Sequence, residues 1–414
     1  MKLHRMFYAM VATAVMGAIS FAASAQETIK IAYIDPLSGP MAATGEHGLH
    51  EFQFIAEQIN ARGGVLGKKL EIVPMDNKLS PQESQNVLKS AIDQGVRYIT
   101  QGNGSSVAGV LIDQINKHNA RNPADAVVFL NYAAVDPDFT NSKCSFWHFR
   151  FDANSDMKME AMTNYMAKQS NVKKVYVLGQ DYSFGHQVAR AAKEMVKAKI
   201  SGVEIVGDEL HPLARVKDFA PYVQKIKSSG ADTVITGNWG SDLVLLIKAS
   251  KEAGLDVNFY TYYAGVVGTP TAIGESGVGR VKMVSYGSSN MPAKTEQMYT
   301  DYKKKYGAKE DYYTYAAKNA LEMLTKAMSQ AGSTEPLKVA RAMEGMKMEG
   351  PFGEIEMRKV DHQLIQPLFI GTFAKAGQPG IKYDLEATGY GFKDDAKIEN
   401  YVSAQPTSCK MERP

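Results

Sequence analysis

The fold is decided by one stretch of sequence, Val96-Arg97-Tyr98-Ile99-Thr100-Gln101-Gly102-Asn103-Gly104-Ser105-Ser106. It begins as an apolar strand, passes through two glycines and two serines, and is followed by apolar residues at helical spacing. A strand, a tight glycine turn and a serine-capped helix form the βα unit of an open α/β sheet. We therefore predict an α/β fold with parallel strands.

The turn of this unit is also a candidate anion site. Ser105 or Ser106 is expected to cap the helix, whose first N–H groups lack partners within the helix and favour a negative charge. Ligands of open α/β sheets bind beyond the carboxyl ends of the strands, where this turn lies. The turn thus predicts a site for a small carboxylate, although many such turns only cap a helix.

A dinucleotide-binding turn, as in an exported dehydrogenase, is the rival interpretation. Gly102 and Gly104 match two positions of the fingerprint G-x-G-x-x-G, but Val107 stands at the third. That third glycine lets helix and strand pack closely, so its absence argues against a dinucleotide. Asp125 lies at about the distance of a ribose-binding acid, but it precedes a strand instead of ending one. We expect no cofactor.

The first 25 residues have the pattern of a signal peptide. Lys2 and Arg5 precede an apolar run, and Ala23-Ser24-Ala25 fits a cleavage site before Gln26. An uncleaved anchor is the alternative, because the apolar run is long for a signal core. Cleavage removes two positive charges and takes the formal net charge from +3 to +1, which does not indicate nucleic acid binding. We expect an exported protein.

The chain contains two cysteines, Cys144 and Cys409. In an oxidising compartment we expect them to form a disulfide that ties the C-terminal tail to the body, with two separate buried thiols as the alternative. Two cysteines are too few for a structural zinc site. His47 and His50 could share a helix face, but no third ligand is evident, and we expect no metal site.

Strand and helix patterns alternate along the first two thirds of the chain. The pattern at Ser80-Pro81-Gln82-Glu83 is that of a capping box with proline at the first helical position. Two sets of alternation predict two lobes with parallel sheets, whereas a (β/α)8 barrel is disfavoured by the long connection 144–152. After a more helical region, a hairpin is predicted from segments 354–357 and 366–373.

Five phrases along the chain point to one family. They resemble phrases of the periplasmic solute-binding proteins of ABC transporters, in the branched-chain amino acid (Leu/Ile/Val)-binding family, and they occur in the family's order. The phrases are Ile34-Asp35-Pro36-Leu37-Ser38-Gly39-Pro40, Ile59-Asn60-Ala61-Arg62-Gly63-Gly64-Val65-Leu66-Gly67, Asp181-Tyr182-Ser183-Phe184-Gly185, Tyr315-Ala316-Ala317 and Gly350-Pro351-Phe352-Gly353.

The resemblance implies the type I periplasmic binding protein fold, a Venus flytrap of two Rossmann-like lobes joined by three hinge crossings. It places the first lobe at 27–150 plus 287–352 and the second at 151–286 plus 353–414. It also implies a protein that is not an enzyme, closes over a small-molecule ligand and delivers it to the membrane permease of an ABC importer. We expect a monomer.

The resemblance assigns ligand contacts in both lobes. In the first lobe the carboxylate site corresponds to Ser105 or Ser106, with helical spacing favouring Ser106, and to the segment of Ala133 and Val135. In the second lobe the contacts correspond to Phe184, Trp239, Tyr262, Tyr263 and Ala264.

Two of these positions depart from the family pattern. Amino-acid binders of the family place a threonine and an acidic side chain around the ligand ammonium, and the aligned residues here are Val135 and Ala264. Neither side chain can accept a hydrogen bond, whereas the aromatic residues suit a ring or a branched chain. We expect an aromatic or other hydrophobic carboxylic acid without an α-amino group. The alternatives are Leu, Ile, Val or another amino acid as ligand, and a sensory protein that presents its ligand to a receptor.

Overall fold

The computed structural model describes residues 27–402 and 404–414. The predicted signal peptide lies outside this part of the chain. None of the helices in the described residues is both long enough and apolar enough to cross a membrane. Two large open sheets with helices packed on them form the body of the molecule, and the predicted α/β class with two lobes is confirmed.

In the described part of the chain, strands and helices alternate up to residue 285, except that the strands at 128–131 and 148–150 have no α-helix between them. The strands are β1 (Thr28–Asp35), β2 (Lys69–Asp76), β3 (Tyr98–Gln101), β4 (Val128–Asn131), β5 (His148–Arg150), β6 (Lys174–Gln180), β7 (Glu204–His211), β8 (Thr233–Thr236), β9 (Asn258–Thr261), β10 (Val281–Ser285), β11 (Lys347–Gly350), β12 (Gly353–Met357), β13 (Leu364–Ile365), β14 (Leu368–Lys375) and β15 (Tyr390–Ile398). The helices are α1 (Ala42–Ala61), α2 (Pro81–Asp93), α3 (Ser105–Arg121), α4 (Ser155–Met166), α5 (Ser183–Lys199), α6 (Ala220–Ser228), α7 (Gly240–Glu252), α8 (Thr269–Ile273), α9 (Ala293–Tyr306), α10 (Tyr315–Ala331) and α11 (Pro336–Met343).

The strands form two large sheets and one small one. The first lobe contains a five-stranded parallel sheet in the order β2-β1-β3-β4-β5. The second lobe contains a seven-stranded sheet in the order β15-β14-β10-β9-β8-β6-β7, in which only the pairings of β14 are antiparallel. A third sheet has the order β11-β12-β13. The barrel alternative is wrong, because the strands divide between separate open sheets.

The predicted hairpin of segments 354–357 and 366–373 is wrong in its second strand. Strand β12 pairs instead with β11 and β13, whereas β14 enters the second large sheet between β10 and β15. Most residues of β14 are buried, as expected for an interior strand. A run of apolar residues indicates burial, but it does not reveal which sheet supplies the partner strands.

Local sequence explains how the helices begin. The predicted capping box at α2 is confirmed, since the Ser80 side chain accepts a hydrogen bond from the Glu83 N–H at 3.3 Å. Glycines let two helices pack directly on the end of the strand that precedes them, α1 on β1 in the first lobe and α5 on β6 in the second. A Cβ atom on Gly45 would lie 1.8 Å from the Pro36 carbonyl oxygen, and one on Gly185 would lie 1.8 Å from that of Gln180. These glycines therefore allow each helix to pack closely on its strand.

A buried polar network joins the segments that run between the lobes. Arg150 is fully buried, and its Nε donates to the Gln363 side chain at 2.8 Å. Gln363 in turn donates to the Asp152 carbonyl at 2.8 Å, and Gln366 donates to the Phe151 carbonyl at 2.8 Å. Arg150 therefore has a structural role between two inter-lobe segments.

The C-terminal tail returns to the first lobe. The predicted disulfide is confirmed, since Cys144 and Cys409 are bonded across 265 residues of sequence. Thr407 donates to the Thr140 carbonyl at 2.6 Å, and Arg413 forms an ion pair with Glu344 at 2.8 Å. The tail follows β15 of the second sheet, so it makes a further, covalently fixed link between the lobes. The lobe boundaries inferred from the sequence stay a prediction.

Candidate ligand-binding site

A cavity of about 600 Å³, including its open mouth, lies between the two large sheets. Most of its wall consists of segments that directly follow strands, so it occupies the carboxyl ends of both sheets, where α/β folds bind ligands. Its lining residues are Thr44, His47, Gly48, Gly102, Asn103, Gly104, Ser105, Tyr132, Ala133, Ala134, Val135, Tyr182, Phe184, Trp239, Tyr263, Val266, Tyr286, Tyr313 and Thr314.

The cavity brings together six of the nine residues predicted to contact a ligand. These are Ser105, Ala133, Val135, Phe184, Trp239 and Tyr263. The other three lie elsewhere. Ser106 is exposed on a groove outside the cavity, the Tyr262 hydroxyl donates to the Ser155 carbonyl at 3.0 Å, and Ala264 is buried in the core of the second lobe.

The start of α3 differs from the predicted serine cap. The residue before the helix is Gly104, whose φ of 94° favours glycine, and no side chain caps the helix there. Ser105 is instead the first helical residue and is buried against the cavity. Among the described residues, the backbone N–H groups of Ser105 and Ser106 have no hydrogen-bond acceptor. The helix therefore keeps unpaired donors for a ligand.

A buried aspartate holds the turn that leads into α3. Asp35, at the end of β1, accepts hydrogen bonds from the backbone N–H groups of Gly102 at 3.2 Å and Asn103 at 2.9 Å. It also accepts one from the Tyr132 hydroxyl at 2.6 Å. Burial raises the pKa of Asp35 to about 7, and these hydrogen bonds act in the opposite direction. Asp35 thus fixes the turn from behind, out of reach of the ligand.

The floor of the cavity is the ring of Tyr132. A Cβ atom on Gly102 would lie 2.6 Å from its Cζ, and a Cβ atom on Gly48 would lie 2.9 Å from its hydroxyl oxygen. A side chain at position 102 would meet the ring itself, and one at position 48 would also meet the Tyr33 hydroxyl at 2.4 Å. Because Gly48 belongs to α1 and Gly102 precedes α3, the hydroxyl end of Tyr132 lies between these two helices.

The segment that follows β4 forms one side of the cavity. Asn131 accepts hydrogen bonds from the N–H groups of Ala133 at 3.2 Å and Ala134 at 2.8 Å. These two backbone donors are therefore occupied within the protein. Val135 presents only its backbone and an apolar side chain to the cavity.

Aromatic side chains from the second lobe form the opposite wall. The Trp239 indole N–H donates to the Tyr182 hydroxyl at 2.8 Å, and Phe184 lies 6.0 Å from Tyr263 between ring centroids. Burial raises the pKa of the Tyr182, Tyr263 and Tyr286 hydroxyls well above their usual value, so these groups keep their protons. The Tyr182 hydroxyl accepts from Trp239 and has its own proton left to donate. The wall therefore combines flat apolar surface with phenolic donors.

The two lobes touch at the edge of this cavity. Gly240, at the start of α7, has a φ of 57°, and a Cβ atom built on it would lie 2.5 Å from the Met41 sulfur in the first lobe. The Ser241 hydroxyl lies 3.7 Å from the same sulfur atom. Gly240 thus allows a close approach between the lobes, and the cavity is enclosed between them.

Comparison with known proteins agrees with this geometry. A model of the Periplasmic binding protein family matches residues 28–378. The chain belongs to this family. It is 33% identical, over the full length of both chains, to Leu/Ile/Val-binding protein homolog 4 of Brucella abortus (strain 2308).

Two solved structures of periplasmic binding proteins have the same fold as this one. The leucine-, isoleucine-, valine-, threonine- and alanine-binding protein from Brucella ovis, in a closed conformation, has 32% identity and a TM-score of 0.81, covering 94% of this chain and all of its own. A solute binding protein of an ABC transporter from Rhodopseudomonas palustris BisB5, in complex with 3,4-dihydroxybenzoic acid, has 22% identity and a TM-score of 0.77 over 90% of this chain and 97% of its own. The family is one of substrate-binding proteins, and membership implies a periplasmic location.

The cavity of this periplasmic binding protein has no formal negative charge on its wall. Among the described residues that line it, none is Asp, Glu, Lys or Arg. Charged groups lie behind the lining residues. Asp35 accepts from the N–H of Gly102 at 3.2 Å, and a Glu310 oxygen lies 3.6 Å from Nε2 of His47. Lys158 pairs with Asp152 at 2.7 Å, and its Nζ lies 4.7 Å from the centroid of Tyr263. A ligand therefore meets hydrogen-bond donors and aromatic faces, and no carboxylate.

Sequence reasoning missed several lining residues of this binding protein. Tyr182 stands inside the phrase Asp181-Tyr182-Ser183-Phe184-Gly185 and could have been inferred from it. Tyr286, Tyr313 and Thr314 lie in irregular segments with no local signal, and contacts between distant parts of the chain bring them to the cavity.

His47 is a further lining residue, which the sequence suggested only as a possible metal ligand. Its Nε2 lies 2.7 Å from the Asp311 carbonyl oxygen, and the ring of His50 instead stacks on Tyr306 at 4.7 Å between centroids. The part of the chain that the structure describes contains no group of three or more His, Cys, Asp or Glu residues that could hold a metal ion.

Proposed function

We propose that this protein captures a small carboxylate-bearing solute for an ABC importer and delivers it to the membrane permease. The carboxylate would bind at the start of α3, where Ser105 offers its hydroxyl and, with Ser106, an unpaired backbone N–H. The partial positive charge of a helix N-terminus adds to these donors. Closure of the lobes would then shield the bound ligand from water.

The ligand class that this cavity favours is an aromatic or hydrophobic carboxylic acid without an α-amino group. The observation that carries this proposal is the absence of Asp and Glu among the described lining residues. Burial of an ammonium group without a compensating charge costs several kcal/mol. The rings of Phe184, Trp239 and Tyr263 offer the flat apolar surface that an aromatic acid would cover.

Leucine, isoleucine, valine or another amino acid is the second candidate. Its support is the name of the Brucella relative, which is a Leu/Ile/Val-binding protein homolog at 33% identity. For an amino acid to bind, uncharged acceptors such as backbone carbonyl groups and the side-chain oxygens of lining residues would have to accept the hydrogen bonds of its ammonium group. A sensory protein would use the same ligand site and differ only in its membrane partner. Genes for a permease and an ATPase next to the gene for this protein would favour transport.

A thermal-shift screen of the mature protein tests the ligand class. The panel contains leucine, valine, phenylalanine, benzoate, 4-hydroxybenzoate and cinnamate. A ligand present at 100 times its dissociation constant stabilises the folded state by about 2.7 kcal/mol, which gives a clear rise in melting temperature. We expect stabilisation by at least one of the acids that lack an amine. Stabilisation by leucine or valine alone would overturn this ligand class and leave the transport role in place.

A further inference from the structure

A loop of the second lobe reaches across to a helix of the first lobe. Helix α9 belongs to the first lobe, because Tyr306 at its end stacks on His50 of α1 at 4.7 Å between ring centroids. The loop 382–386 lies between β14 and β15 of the second sheet, and the Glu386 side chain accepts the N–H of Thr271 in α8 at 2.8 Å. Contacts between this loop and α9 therefore join the two lobes away from any chain crossing.

Two side chains of α9 make such contacts. The Glu296 carboxylate accepts a hydrogen bond from the Tyr383 hydroxyl at 2.7 Å and forms an ion pair with Lys382. The ring of Tyr299 lies 5.2 Å from the ring of Tyr383 between centroids. The Tyr299 hydroxyl also lies 3.4 Å from the Asp384 carbonyl oxygen. The loop is thus held to α9 by an ion pair, hydrogen bonds and a ring contact.

Asp311, which follows α9, connects these contacts to the ligand cavity. One of its carboxylate oxygens accepts hydrogen bonds from Tyr299 at 2.7 Å and Lys303 at 2.6 Å, both on α9. The other accepts the backbone N–H of Glu386 in the second lobe at 2.6 Å. The Asp311 carbonyl oxygen lies 2.7 Å from Nε2 of His47, which lines the cavity. A single buried residue therefore touches both a cavity wall and the opposite lobe.

From this arrangement we propose that Asp311 is a positioning residue that holds the two lobes in the closed, ligand-bound arrangement. It acts through an interlobe latch, defined as the contacts that α9 and Asp311 make with the loop 382–386. The proposal rests on the proposed function, because it requires capture of a ligand by closure, but it does not depend on the ligand class. When the lobes rotate apart, the carboxylate loses the Glu386 donor, whereas its donors on α9 move with it.

A latch that forms on closure controls the release of the ligand. The ligand enters while the lobes are apart, before the latch forms, but it leaves only after the latch has broken. Loss of a latch contact should therefore raise the dissociation rate and leave the association rate nearly unchanged. Because Glu296, Tyr299, Asp311 and Tyr383 do not line the cavity, a direct contact with the ligand would not produce this change.

Stopped-flow kinetics on the mature protein tests this role, with 4-hydroxybenzoate and leucine as probes of the two candidate ligand classes. Asp311→Asn should raise the dissociation rate by roughly ten-fold or more, because it removes a charged acceptor. Tyr383→Phe removes one hydroxyl of the latch and should raise this rate by roughly two- to ten-fold. Tyr176→Phe is the matched control, since its hydroxyl donates to Glu209 at 3.1 Å within the second lobe, and it should leave the rate unchanged.

Hydrogen exchange of the ligand-free wild-type protein tests the latch without a probe. The N–H of Glu386 donates across the lobes to the Asp311 carboxylate, whereas the N–H of Thr271 donates to the Glu386 carboxylate within the second lobe. Opening of the lobes breaks the first hydrogen bond and leaves the second intact. The Glu386 N–H should therefore exchange faster than the Thr271 N–H, by roughly ten-fold or more. Equal protection of the two groups would overturn the latch.

The kinetic outcomes separate the latch from the proposed function. If a probe binds the wild type and neither latch variant changes its dissociation rate, the latch is overturned and the proposed function stands. An equal effect of Tyr383→Phe and Tyr176→Phe would also overturn the latch, because it would reflect general destabilisation. If neither probe binds the wild type, both tested ligand classes fail, and hydrogen exchange alone decides on the latch. Circular dichroism checks that the variants fold, and Tyr383→Phe carries the test if Asp311→Asn does not.

Discussion

The backbone N–H of Asn103 donates to the carboxylate of Asp35 at 2.9 Å, across two neighbouring strands of the first sheet. This contact holds the turn before α3, where the serine cap expected from the sequence is absent. It places Ser105 at the cavity while Ser106 faces outwards. The donors available to a ligand therefore depend on a buried carboxylate that the ligand does not touch.

Replacement of Asp35 should change how stability depends on pH. Burial raises the folded-state pKa of Asp35 to about 7, above its ordinary value of 3.8. A carboxyl group with a raised pKa contributes most stability below the unfolded-state value and loses it as pH rises through the folded-state value. The unfolding free energy of wild type relative to Asp35→Asn should therefore fall by about 1.4 kcal/mol per pH unit between the two values and level off above pH 7.

Urea denaturation of both proteins from about pH 4.5 to about pH 8 measures this difference. This range begins just above the unfolded-state pKa of Asp35 and ends just above its folded-state pKa. A difference that stays flat across the range would show that Asp35 has no raised pKa. At about pH 8, where Asp35 is ionised, the Asp35→Asn protein should also bind ligand more weakly, because the amide cannot accept from all three donors that face the carboxylate.

Ser105 and Ser106 form a matched pair for the carboxylate anchor. Ser105→Ala should weaken ligand binding by about 1.5–3 kcal/mol, the range for a hydrogen bond to a charged group. Ser106→Ala should leave affinity nearly unchanged, because this side chain is exposed outside the cavity. Calorimetry with the strongest ligand from the thermal-shift screen makes the comparison. A larger loss of affinity for Ser106→Ala than for Ser105→Ala would instead identify Ser106 as the anchor, as helical spacing in the sequence favours.

Because Gly240 lies so close to Met41, closure of the lobes should be sensitive to a larger side chain at position 240. In Gly240→Ala the new Cβ would lie 2.5 Å from the Met41 sulfur, and overpacking of this kind costs about 1–3 kcal/mol. Affinity should fall, and scattering should show less compaction on ligand addition. Met41→Ala in the same chain should recover part of the loss, because it removes the atom that the new methyl meets. Unchanged affinity of Gly240→Ala would mean that the ligand-bound lobes do not meet there.

Loss of the disulfide should destabilise the protein without changing the cavity. In the double variant Cys144→Ser and Cys409→Ser, the tail would keep its hydrogen bond from Thr407 to Thr140 but lose its covalent link. Such a loss typically costs about 2–5 kcal/mol of unfolding free energy. Thermal unfolding with and without reductant checks this, since reductant should lower the melting temperature of the wild type only. Equal melting temperatures for all samples would contradict it.

Much of the fold follows from local patterns. Signals in the sequence predict the alternation of strands and helices, the capping box at Ser80 and the pairing of Cys144 with Cys409. The partners of β14 had none, because strand order depends on contacts between distant segments. The same holds for Arg150, whose hydrogen bond to Gln363 spans 213 positions.

The candidate site was predicted less completely than the fold. The strand–turn–helix at Ser105 located the cavity, because ligand sites of α/β sheets recur at strand ends. The choice between Ser105 and Ser106 needed the turn geometry that Asp35 and Gly104 impose. His47 and Tyr313 reach the cavity from a helix face and an irregular segment, where no spacing rule applies.

The most direct test of the account compares ligands that differ only in the α-amino group. Phenylalanine and 3-phenylpropanoate are one such pair, and leucine and 4-methylpentanoate are another. Titration calorimetry on the mature wild-type protein should give tighter binding of the acid without the amine in at least one pair, by roughly ten-fold or more, because a buried ammonium without a countercharge costs several kcal/mol. Tighter binding of the amino acid in both pairs would contradict the account and establish an amino-acid binder.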